Sequence, residues 1–292
     1  MKVITRIKGG IGNQLFCYAA ARRLALVNSA ELVIDNLTGF VRDVLYARHY
    51  MLDYFAIPVR KATKLERMEP FERYHRGIAK FIARTKPFYL RNYIEQEGLN
   101  FDSRLLDFKV KGDLYLDGYW QSESYFKDVE QTIRKDLEII IPKDDANSSM
   151  AGKICQSTAI AVHVRWFDAA HCGNLHSNVS IDYYKQAMSQ MKKRFKKLHF
   201  FLFSDDPVAA QKIGLSKEEV TYVNHNLGDK NAYADLWLMS LCKHFIIANS
   251  TFSWWGAWLS QNHGKVIIAP KKWFKNPLIN TKDLIPDCWL RL

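Results

Sequence analysis

The second half of the chain alternates between short apolar strands and helical segments, and this alternation constrains the fold more than any other feature. The predicted strands read AIAVHV, LHFFLFS, VTYV, HFIIAN and KVIIAP. Helical stretches stand between them, including SIDYYKQAMSQMKKRF, which Ser180 caps, the short PVAAQKIG, NAYADLWLMSLCK and FSWWGAWLS. Apolar strands joined by helices are typical of a parallel sheet that is buried on both faces. The pattern therefore predicts an α/β fold with ligands at the carboxyl ends of the strands.

The first half begins with a second unit of this kind. The apolar stretch KVITRI precedes a glycine-rich loop, GGIGNQLF, and a helix and the strand ELVID follow. A mostly polar and basic middle region contains helical stretches such as RYHRGIAKFIAR, and LYLDGYWQSESYF then resumes a strand followed by a helix. The turn-rich stretch PKDDANSSMAG (142–152) is the best linker candidate. We therefore predict two Rossmann-like domains, 1–150 and 151–292, that face each other across a cleft, with the C-terminal tail free to pack back on the first.

Charge narrows the class of partner. The chain has 292 residues and a net charge of +12, which favours an anionic partner such as nucleic acid, a nucleotide phosphate or an acidic membrane face. Much of the surplus lies in KKRFKK (192–197), which we interpret as the solvated end of a helix. No block of aromatic residues interleaves with this run, as a single-strand nucleic-acid platform would require. We therefore expect no nucleic-acid partner.

The cysteines and the apolar runs indicate the compartment. The five cysteines are odd in number and scattered, and no C-x-x-C pair exists, so neither a zinc site nor a redox dithiol is predicted. The N-terminus lacks the apolar core of a signal peptide, and no apolar run reaches the length of a membrane span. We expect a soluble protein of the reducing cytoplasm, with peripheral contact to a membrane left open.

The glycine-rich loop resembles a dinucleotide fingerprint only in part. Gly10 and Gly12 fill the first two glycine positions, and Asp35 stands where a ribose-binding acid would be, but leucine replaces the third glycine. Two side-chain amides, Asn13 and Gln14, stand at the helix start instead. Amides recognise hydroxyls and carbonyls, so this loop suits a sugar at least as well as a pyrophosphate. The alternative is that Asn13 only caps the helix.

Polar residues follow the first strand of the second half. In AVHVRWFD, a buried strand delivers His163, Arg165 and Asp168 to its carboxyl end. Arg165 offers a planar fork that suits a phosphate. The alternative is a structural ion pair between Arg165 and an aspartate of this segment.

Two further strand ends carry polar residues. Ser204 and Asp205, in FLFSDD, end a strand; adjacent acids suggest a metal, but no other cluster of hard ligands is evident, so we predict a ribose or structural contact and no metal. Asn249, Ser250 and Thr251 lie between a strand and a helix, where N–H groups and hydroxyls bind anions. Here the alternative is that Ser250 is only a cap. On the helix that follows, Trp254 and Trp258 have the spacing of core residues.

Together these motifs resemble those of the bacterial α-1,2-fucosyltransferases of the H-antigen-synthase type. The segments GGIGNQLF, HVRWFD, FLFSDD and NSTFSWWGAWL occur in the order and spacing of that family, from Gly9 to about Pro270, and DGYWQSESYF is also similar to a family segment. The resemblance implies a GT-B fold and GDP-fucose as the donor. It implies inverting transfer to the 2-hydroxyl of a galactoside oligosaccharide or lipid-linked glycan, with no metal and no cofactor.

One family motif is altered here. The HxRRxD box matches at His163, Arg165 and Asp168, but Trp166 replaces its second arginine and Phe167 the small residue before the acid. The resemblance assigns the first arginine, Arg165, to the donor phosphate. Trp166 cannot supply the positive charge of the second arginine, and the acceptor side is expected to differ in shape.

The resemblance also distributes roles. It places the GGIGNQ loop against the donor sugar and acceptor, and the pyrophosphate on the second domain. Catalytic roles are expected for Arg165, Asp168 and Asn13. The expected donor-binding residues are His163, Arg165, Ser204, Asp205, Asp235, Asn249, Ser250, Thr251 and Phe252. The expected acceptor-binding residues are Gly10, Gly12, Asn13, Gln14, Trp120, Glu123 and Trp166.

Some questions stay open from the sequence. Asp168 is weakened as a general base by the nearby Arg165, and Glu123 and Asp35 are alternatives. Transfer to another hydroxyl is an alternative linkage. A dinucleotide-dependent oxidoreductase, built on Gly10, Gly12 and Asp35, is the rival enzyme class, and a basic phosphate- or glycan-binding protein is the rival that is not an enzyme.

Overall fold

A computed structural model describes the whole chain except Leu45 and residues 166–178, 207–210, 212, 214–217, 275 and 277–278. The chain divides into two compact units. The first comprises Met1–Glu138 and Asn280–Pro286, and the second comprises Ile139–Ile279 and Asp287–Leu292.

The stretch predicted as a linker is largely helical. Helix α4 (numbered in chain order) spans Asp145–Cys155, and Asp144 caps it by accepting a hydrogen bond of 2.8 Å from the backbone N–H of Asn147. The polar residues that suggested a turn-rich linker thus start a helix instead. The units meet in sequence at Glu138 and Ile139, ahead of the expected boundary at 150/151.

The first unit is built on a five-stranded parallel sheet with the order β3-β2-β1-β5-β4. Its strands are β1 (Lys2–Arg6), β2 (Glu31–Asp35), β3 (Arg60–Lys61), β4 (Tyr93–Glu95) and β5 (Asp113–Asp117), and its helices are α1 (Ile11–Val27), α2 (Glu72–Arg84) and α3 (Glu130–Asp136). The alanine- and leucine-rich α1 is buried along most of its length. After β5, where a helix running on to Glu138 was predicted, two 3₁₀ turns, Glu123–Tyr125 and Lys127–Val129, precede the helix α3. Because the strand order reverses between β1 and β5, loops at that edge diverge and leave room for a ligand.

The second unit has a six-stranded parallel sheet with the order β11-β10-β9-β6-β7-β8. Its strands are β6 (Ala159–Val164), β7 (His199–Ser204), β8 (Val220–Val223), β9 (His244–Ile246), β10 (Ile267–Ala269) and β11 (Leu290–Arg291), and with α4 its helices include α5 (Ile181–Arg194), α6 (Ala232–Ser240) and α7 (Thr251–Leu259). If β6 to β11 are numbered 1 to 6, this is the strand order 3-2-1-4-5-6 of dinucleotide-binding folds. The direction in which successive strands are added reverses between β6 and β9. Most of the predicted short helix at 207–214 lies outside the described residues.

Buried aromatic side chains hold α7 in place. Trp254 and Trp258 stack with ring centroids 6.2 Å apart, and both are buried, which confirms their predicted core positions. Trp289 packs on Trp254 from the C-terminal segment of this unit. At the other side of the sheet, the predicted cap of α5 is confirmed, since the Ser180 hydroxyl accepts from the N–H of Tyr183 at 3.2 Å. A rigid core of this kind fixes the position of the first turn of α7.

Among the helices in the described ranges, none combines the length with the apolar character that crossing a bilayer requires.

Candidate active site

The switch point of the second sheet brings together two of the predicted motifs. His163, near the carboxyl end of β6, is buried, and its ring lies with its centroid 5.3 Å from that of Phe252 in the first turn of α7. The β6–β9 pairing produces this contact, because α7 follows β9 directly. The residues predicted from HVRWFD and NSTFSWWGAWL therefore share one edge of the sheet.

His163 is a neutral imidazole that is buried at this edge of the sheet. Burial, together with the positive charge of Arg165, lowers the pKa of His163 to about 3. Its Nδ1 is buried, and no residue in the described part of the chain hydrogen-bonds to it. A neutral imidazole offers one donor and one acceptor, so Nδ1 suits a polar ligand atom.

Arg165 forms an ion pair, but with an acid from the neighbouring strand. Its Nη1 donates to Oδ2 of Asp205, which follows β7. The register that pairs Val164 with Ser204 sets the two side chains next to each other. Asp168, the acid that the sequence offered as partner, and Trp166 lie outside the described residues. The Arg165–Asp205 pair is partly exposed, so breaking it costs little free energy. Arg165 can therefore leave Asp205 and bind a ligand instead.

Ser204 and Asn249 hold backbone. The Ser204 hydroxyl lies 2.8 Å from the carbonyl of Val164 and 3.0 Å from that of Asp206, which ties the end of β7 to β6. Asn249 is buried, and its Nδ2 donates to the carbonyl of Trp273 at 2.9 Å. The Ser204 hydroxyl and the Asn249 Nδ2, both in residues predicted to bind the donor, thus hold the backbone at this edge of the sheet.

Helix α7 starts without a side-chain cap. Ser250 occupies the N-cap position, but its hydroxyl makes no capping hydrogen bond, so the alternative that it serves only as a cap is wrong. Thr251 begins the helix. The first-turn N–H groups of a helix have no partner within it, and they carry partial positive charge. This helix start therefore fits an anion.

Asp235 belongs to a chain of amides that the sequence did not reveal. Asn226 donates from Nδ2 to Oδ1 of Asp235 at 2.9 Å, and it exchanges two further hydrogen bonds of 2.9 Å with the amide of Asn147 at the start of α4. Burial raises the pKa of Asp235 to about 7, although the bond from Asn226 opposes the shift. The acid sits on α6, and its neighbours come from segments far apart in sequence.

In the first unit, the glycine loop positions Asn13 by its backbone geometry. Gly9 has a φ of 74°, a conformation that favours glycine, and a Cβ there would lie 2.9 Å from Nδ2 of Asn13 and displace that side chain. Helix α1 takes Gly10 as its N-cap with no side-chain bond, so Asn13 does not cap it. Instead, Oδ1 of Asn13 accepts a hydrogen bond of 2.8 Å from Nε2 of Gln121.

Gln14 has a structural role that differs from the predicted acceptor contact. It is fully buried, and its Nε2 donates to the carbonyls of Gly9 and His49, while its Oε1 accepts from the N–H of Met51. A buried amide needs such partners. The side chain therefore pins the 49–51 segment to the loop and leaves no free amide group for a sugar.

The other predicted acceptor residues occupy different environments. Trp120 is buried, with an indole Nε1 that no described residue contacts by a hydrogen bond. Glu123 is partly exposed and pairs with Lys127 at 3.3 Å. Gly12 is buried inside α1, whereas Gly10 stays at its N-cap.

Asp35 is excluded as a ribose ligand or a general base. It is fully buried, its Oδ1 accepts from the N–H groups of Leu37 and Thr38, and its Oδ2 accepts from the hydroxyls of Thr38 and Tyr115. Every oxygen has a partner inside the protein. The carboxylate thus terminates β2 and fixes the loop that follows.

A charged cluster beside the glycine loop was missed by sequence reasoning. Nζ of Lys8 lies 2.6 Å from Oδ1 of Asp117 and 5.0 Å from the ring centroid of Tyr119, and Arg6 and the hydroxyl of Tyr93 contact Oδ2 of the same acid. Burial favours protonation of Asp117, but the charges of Lys8 and Arg6 hold its pKa below the usual value. The only signal in the sequence was position: Lys8 precedes GG, and Asp117 begins DGYWQ.

Within the described ranges, no group of three or more His, Cys, Asp or Glu residues is arranged to hold a metal ion.

Comparisons with known proteins identify the family of the chain. The model of the family described as glycosyl transferase family 11 matches residues 2–291. An α-1,2-colitosyltransferase from Escherichia coli is 30% identical over 298 residues, which span 99% of this chain and 98% of the relative. Galactoside 2-alpha-L-fucosyltransferase Sec1 from Mus musculus is 23% identical over 264 residues, which span 87% of this chain and 63% of the relative.

A solved structure shows the same fold. The structure of an Arabidopsis thaliana FUT1 variant in complex with GDP is similar with a TM-score of 0.54 and 12% identity, covering 91% of this chain and 69% of that one. The predicted α/β fold of the GT-B type is therefore confirmed. The chain is a glycosyltransferase that belongs to glycosyl transferase family 11, the α-1,2-fucosyltransferase family.

Proposed function

We propose that the chain transfers L-fucose from GDP-fucose to the 2-hydroxyl of a galactoside, with inversion at the anomeric carbon and without a metal ion. The observation that carries this proposal is the edge where His163, Arg165 and the start of α7 meet at the switch point of the second sheet. Family membership supports fucosyl transfer, and the names of the E. coli and mouse relatives support a 1,2 linkage and a galactoside acceptor.

The second unit would bind the donor. Arg165 would turn from Asp205 to grip the β-phosphate with its planar fork, and the N–H groups at Ser250 and Thr251 would bind the same diphosphate. His163 and Asp235 would read guanine. Guanine presents two neighbouring N–H groups, and an ionised carboxylate can accept hydrogen bonds from both. Adenine lacks this pair of donors at the corresponding edge.

The reaction would be a single displacement. The acceptor oxygen forms a bond to the anomeric carbon of fucose while the bond from that carbon to the β-phosphate oxygen breaks, and both electrons of the broken bond leave with GDP. Negative charge therefore grows on the phosphate as the bond breaks. Preorganised donors stabilise such charge strongly in a site that excludes water, which is the role proposed for Arg165 and the helix start.

The first unit would hold the acceptor. Asn13, which accepts a hydrogen bond from Gln121, would orient the reacting hydroxyl and the donor sugar. The hydroxyl proton would pass to a carboxylate, for which Asp168 and Glu123 are the candidates now that Asp35 is committed elsewhere. Asp117 is a poor base because its two cations stabilise the ionised form.

A second candidate donor is a GDP-activated colitose. The E. coli relative at 30% identity carries that activity in its name. L-fucose and colitose differ by one hydroxyl, and a site that hydrogen-bonds this hydroxyl would reject the sugar that lacks it.

A donor and acceptor panel tests the proposal. The purified chain is incubated with GDP-fucose or GDP-colitose and a series of galactosides, glucosides and mannosides, each with and without EDTA. We expect fucosylated galactoside at the same rate in both buffers. Nicotinamide reduction in the absence of a sugar donor would favour the oxidoreductase, and glycan binding without turnover of any donor would favour a binding protein.

A further inference from the structure

One apolar surface of the first unit has no part in the proposed reaction. It is the outward side of α2 and the residue before it, where Phe71, Tyr74 and Phe81 are 74%, 69% and 72% exposed. Ile78 and Ile82, at 42% and 46%, are also exposed there. We call these five residues the α2 face. Large apolar residues clustered on a surface, unlike single ones, mark a site of interaction.

The orientation of α2 is the reverse of the usual one. Its buried residues are Arg76 and Ala83, and Ala79 packs against the core between them. These positions recur at helical spacing on one side, and the apolar α2 face lies on the other. A surface helix normally turns its apolar stripe toward the core. Because α2 does not, its sequence is better explained by a contact outside the unit.

A groove adjoins the α2 face. This groove of about 750 Å³ runs along the N-terminal half of the helix, and Arg42, from the loop that follows β2, forms part of its wall. The groove is also lined by the apolar or cationic residues Phe71, Arg73, Tyr74, Ile78 and Phe81.

Positive charge surrounds the α2 face. Residues 71–91 contain six Lys and Arg residues and a single acid, Glu72. Arg76 is buried, and Lys80 and Arg84 pair with Glu95, which lies outside this segment. Arg73 and Lys86 are exposed, and the structure shows no ion pair for either among the residues it describes. A partner with negative charge is therefore favoured on electrostatic grounds.

We propose that the α2 face docks on the surface of an anionic phospholipid bilayer. An aromatic and aliphatic face flanked by Arg and Lys, on a helix of low overall hydrophobicity, is the pattern of helices that lie in the membrane interface. Anionic headgroups attract such cations near the surface. A second copy of the chain fits less well, because it would bring the exposed cations Arg73 and Lys86 of two chains together. This inference does not depend on the proposed function, since it concerns binding rather than transfer.

Vesicle flotation with the full chain tests the apolar contact. The protein is mixed with vesicles of phosphatidylethanolamine and phosphatidylglycerol, or of phosphatidylcholine alone, and should float only with the anionic ones. The double variant Ile78→Ser/Phe81→Ser should lower the partition coefficient at least about tenfold, given the transfer free energy of an aromatic side chain. The matched control is Ile141→Ser/Leu227→Ser, which removes two exposed apolar residues of the second unit and should change nothing.

A second pair of variants tests the charge. Arg73→Gln/Lys86→Gln changes only exposed side chains, so it keeps the fold even if the apolar variant does not. It should weaken flotation, whereas Lys196→Gln/Lys197→Gln, in the other basic run, should leave it intact. Loss of binding only in the 196/197 variant would overturn the proposal, as would equal binding by all variants.

Sedimentation velocity without vesicles tests the alternative that a second copy of the chain covers the α2 face. We expect a monomer both for the parent chain and for Phe81→Ser. A dimer that Phe81→Ser dissociates, together with no flotation on anionic vesicles, would overturn membrane docking in favour of self-association.

Discussion

The Nε2 of Gln121 donates a 2.8 Å hydrogen bond to Oδ1 of Asn13, across more than a hundred residues of sequence. The bond joins the first turn of α1 to the segment after β5, and it leaves Asn13 without a capping role. A side chain fixed in this way, beside a glycine whose φ of 74° would strain any other residue, is suited to orienting a substrate.

Asn13→Ala should slow the bound reaction without loosening the donor. Misplacing reacting groups by about 1 Å costs roughly 10²-fold in rate, so we expect kcat to fall by at least about that factor. GDP affinity by calorimetry should be unchanged, because the diphosphate is assigned to the second unit. Gln121→Ala is the companion variant and should show a smaller loss of the same kind. Weak GDP binding in folded Asn13→Ala would instead revive a nucleotide role for the loop.

Arg165→Lys should nearly abolish transfer although the charge is kept. Lysine cannot make the planar two-point contact with a phosphate, and loss of one preorganised donor typically raises the barrier by about 2.7–4 kcal/mol. Steady-state kcat, measured beside the melting temperature, checks this. The matched control is Arg134→Lys, which alters an arginine that pairs with Glu130 on the exposed side of α3. Normal kcat in both variants would remove Arg165 from the mechanism.

The affinity for GDP should depend on the ionisation of Asp235. Its pKa of about 7 means that the free protein holds the acid largely protonated below neutral pH, where it cannot accept from guanine. GDP affinity should therefore fall about tenfold per pH unit below about pH 7. His163 does not contribute over this range, since its pKa is about 3.

Asp235→Asn isolates this dependence from the titration of GDP itself. The variant should bind GDP weakly and should lose the part of the pH dependence that the carboxyl causes, while the phosphate part stays in both proteins. Calorimetry at several pH values measures the difference. Two parallel profiles would mean that Asp235 does not read guanine.

The same acid affects stability in a defined direction. Because folding raises the pKa of Asp235 above its unfolded value, the folded state binds more protons between about pH 4 and pH 7. This group therefore makes the unfolding free energy decrease as pH rises through that window, with no further change above it. Asp235→Asn should flatten the corresponding part of a curve of melting temperature against pH.

Asn226 should act through Asp235. Removing its hydrogen bond takes away the interaction that opposes the raised pKa, so Asn226→Ala should shift the pH profile of GDP binding upward and weaken GDP binding at neutral pH. The control is Asn231→Ala, which removes an amide bonded only to the carbonyl of Leu227 among the contacts the structure describes. A purely structural role for Asn226 would lower the melting temperature without moving the profile.

Apolar runs made the architecture predictable. The strand β6 coincides with AIAVHV, because burial on both faces leaves a nearly continuous apolar signature. The edge strand β8 coincides with VTYV, although its two central residues are only partly buried. The Ser180 cap and the buried Trp254 and Trp258 were likewise readable from local spacing.

Residues whose partners are distant in sequence were not predictable in the same way. Gln14 was expected to contact the acceptor, and Asp35 was an alternative general base, but backbone from 49–51 and the hydroxyl of Tyr115 use their polar atoms. Arg165 pairs with Asp205 because of strand register, which the sequence does not display. The helix α2 was predictable, but its orientation was not. Periodicity identifies an apolar face of a helix but does not show which part of the protein or which partner packs against it.

The linkage formed with GDP-fucose and a galactoside, in buffer containing EDTA, tests the central claim most directly. The purified product is analysed by NMR for the anomeric configuration of fucose and the substituted hydroxyl. Inversion of the β-linked donor predicts an α-linked fucose on O2 of galactose. A β linkage, substitution at another hydroxyl, or product only when a divalent metal is supplied would contradict the account.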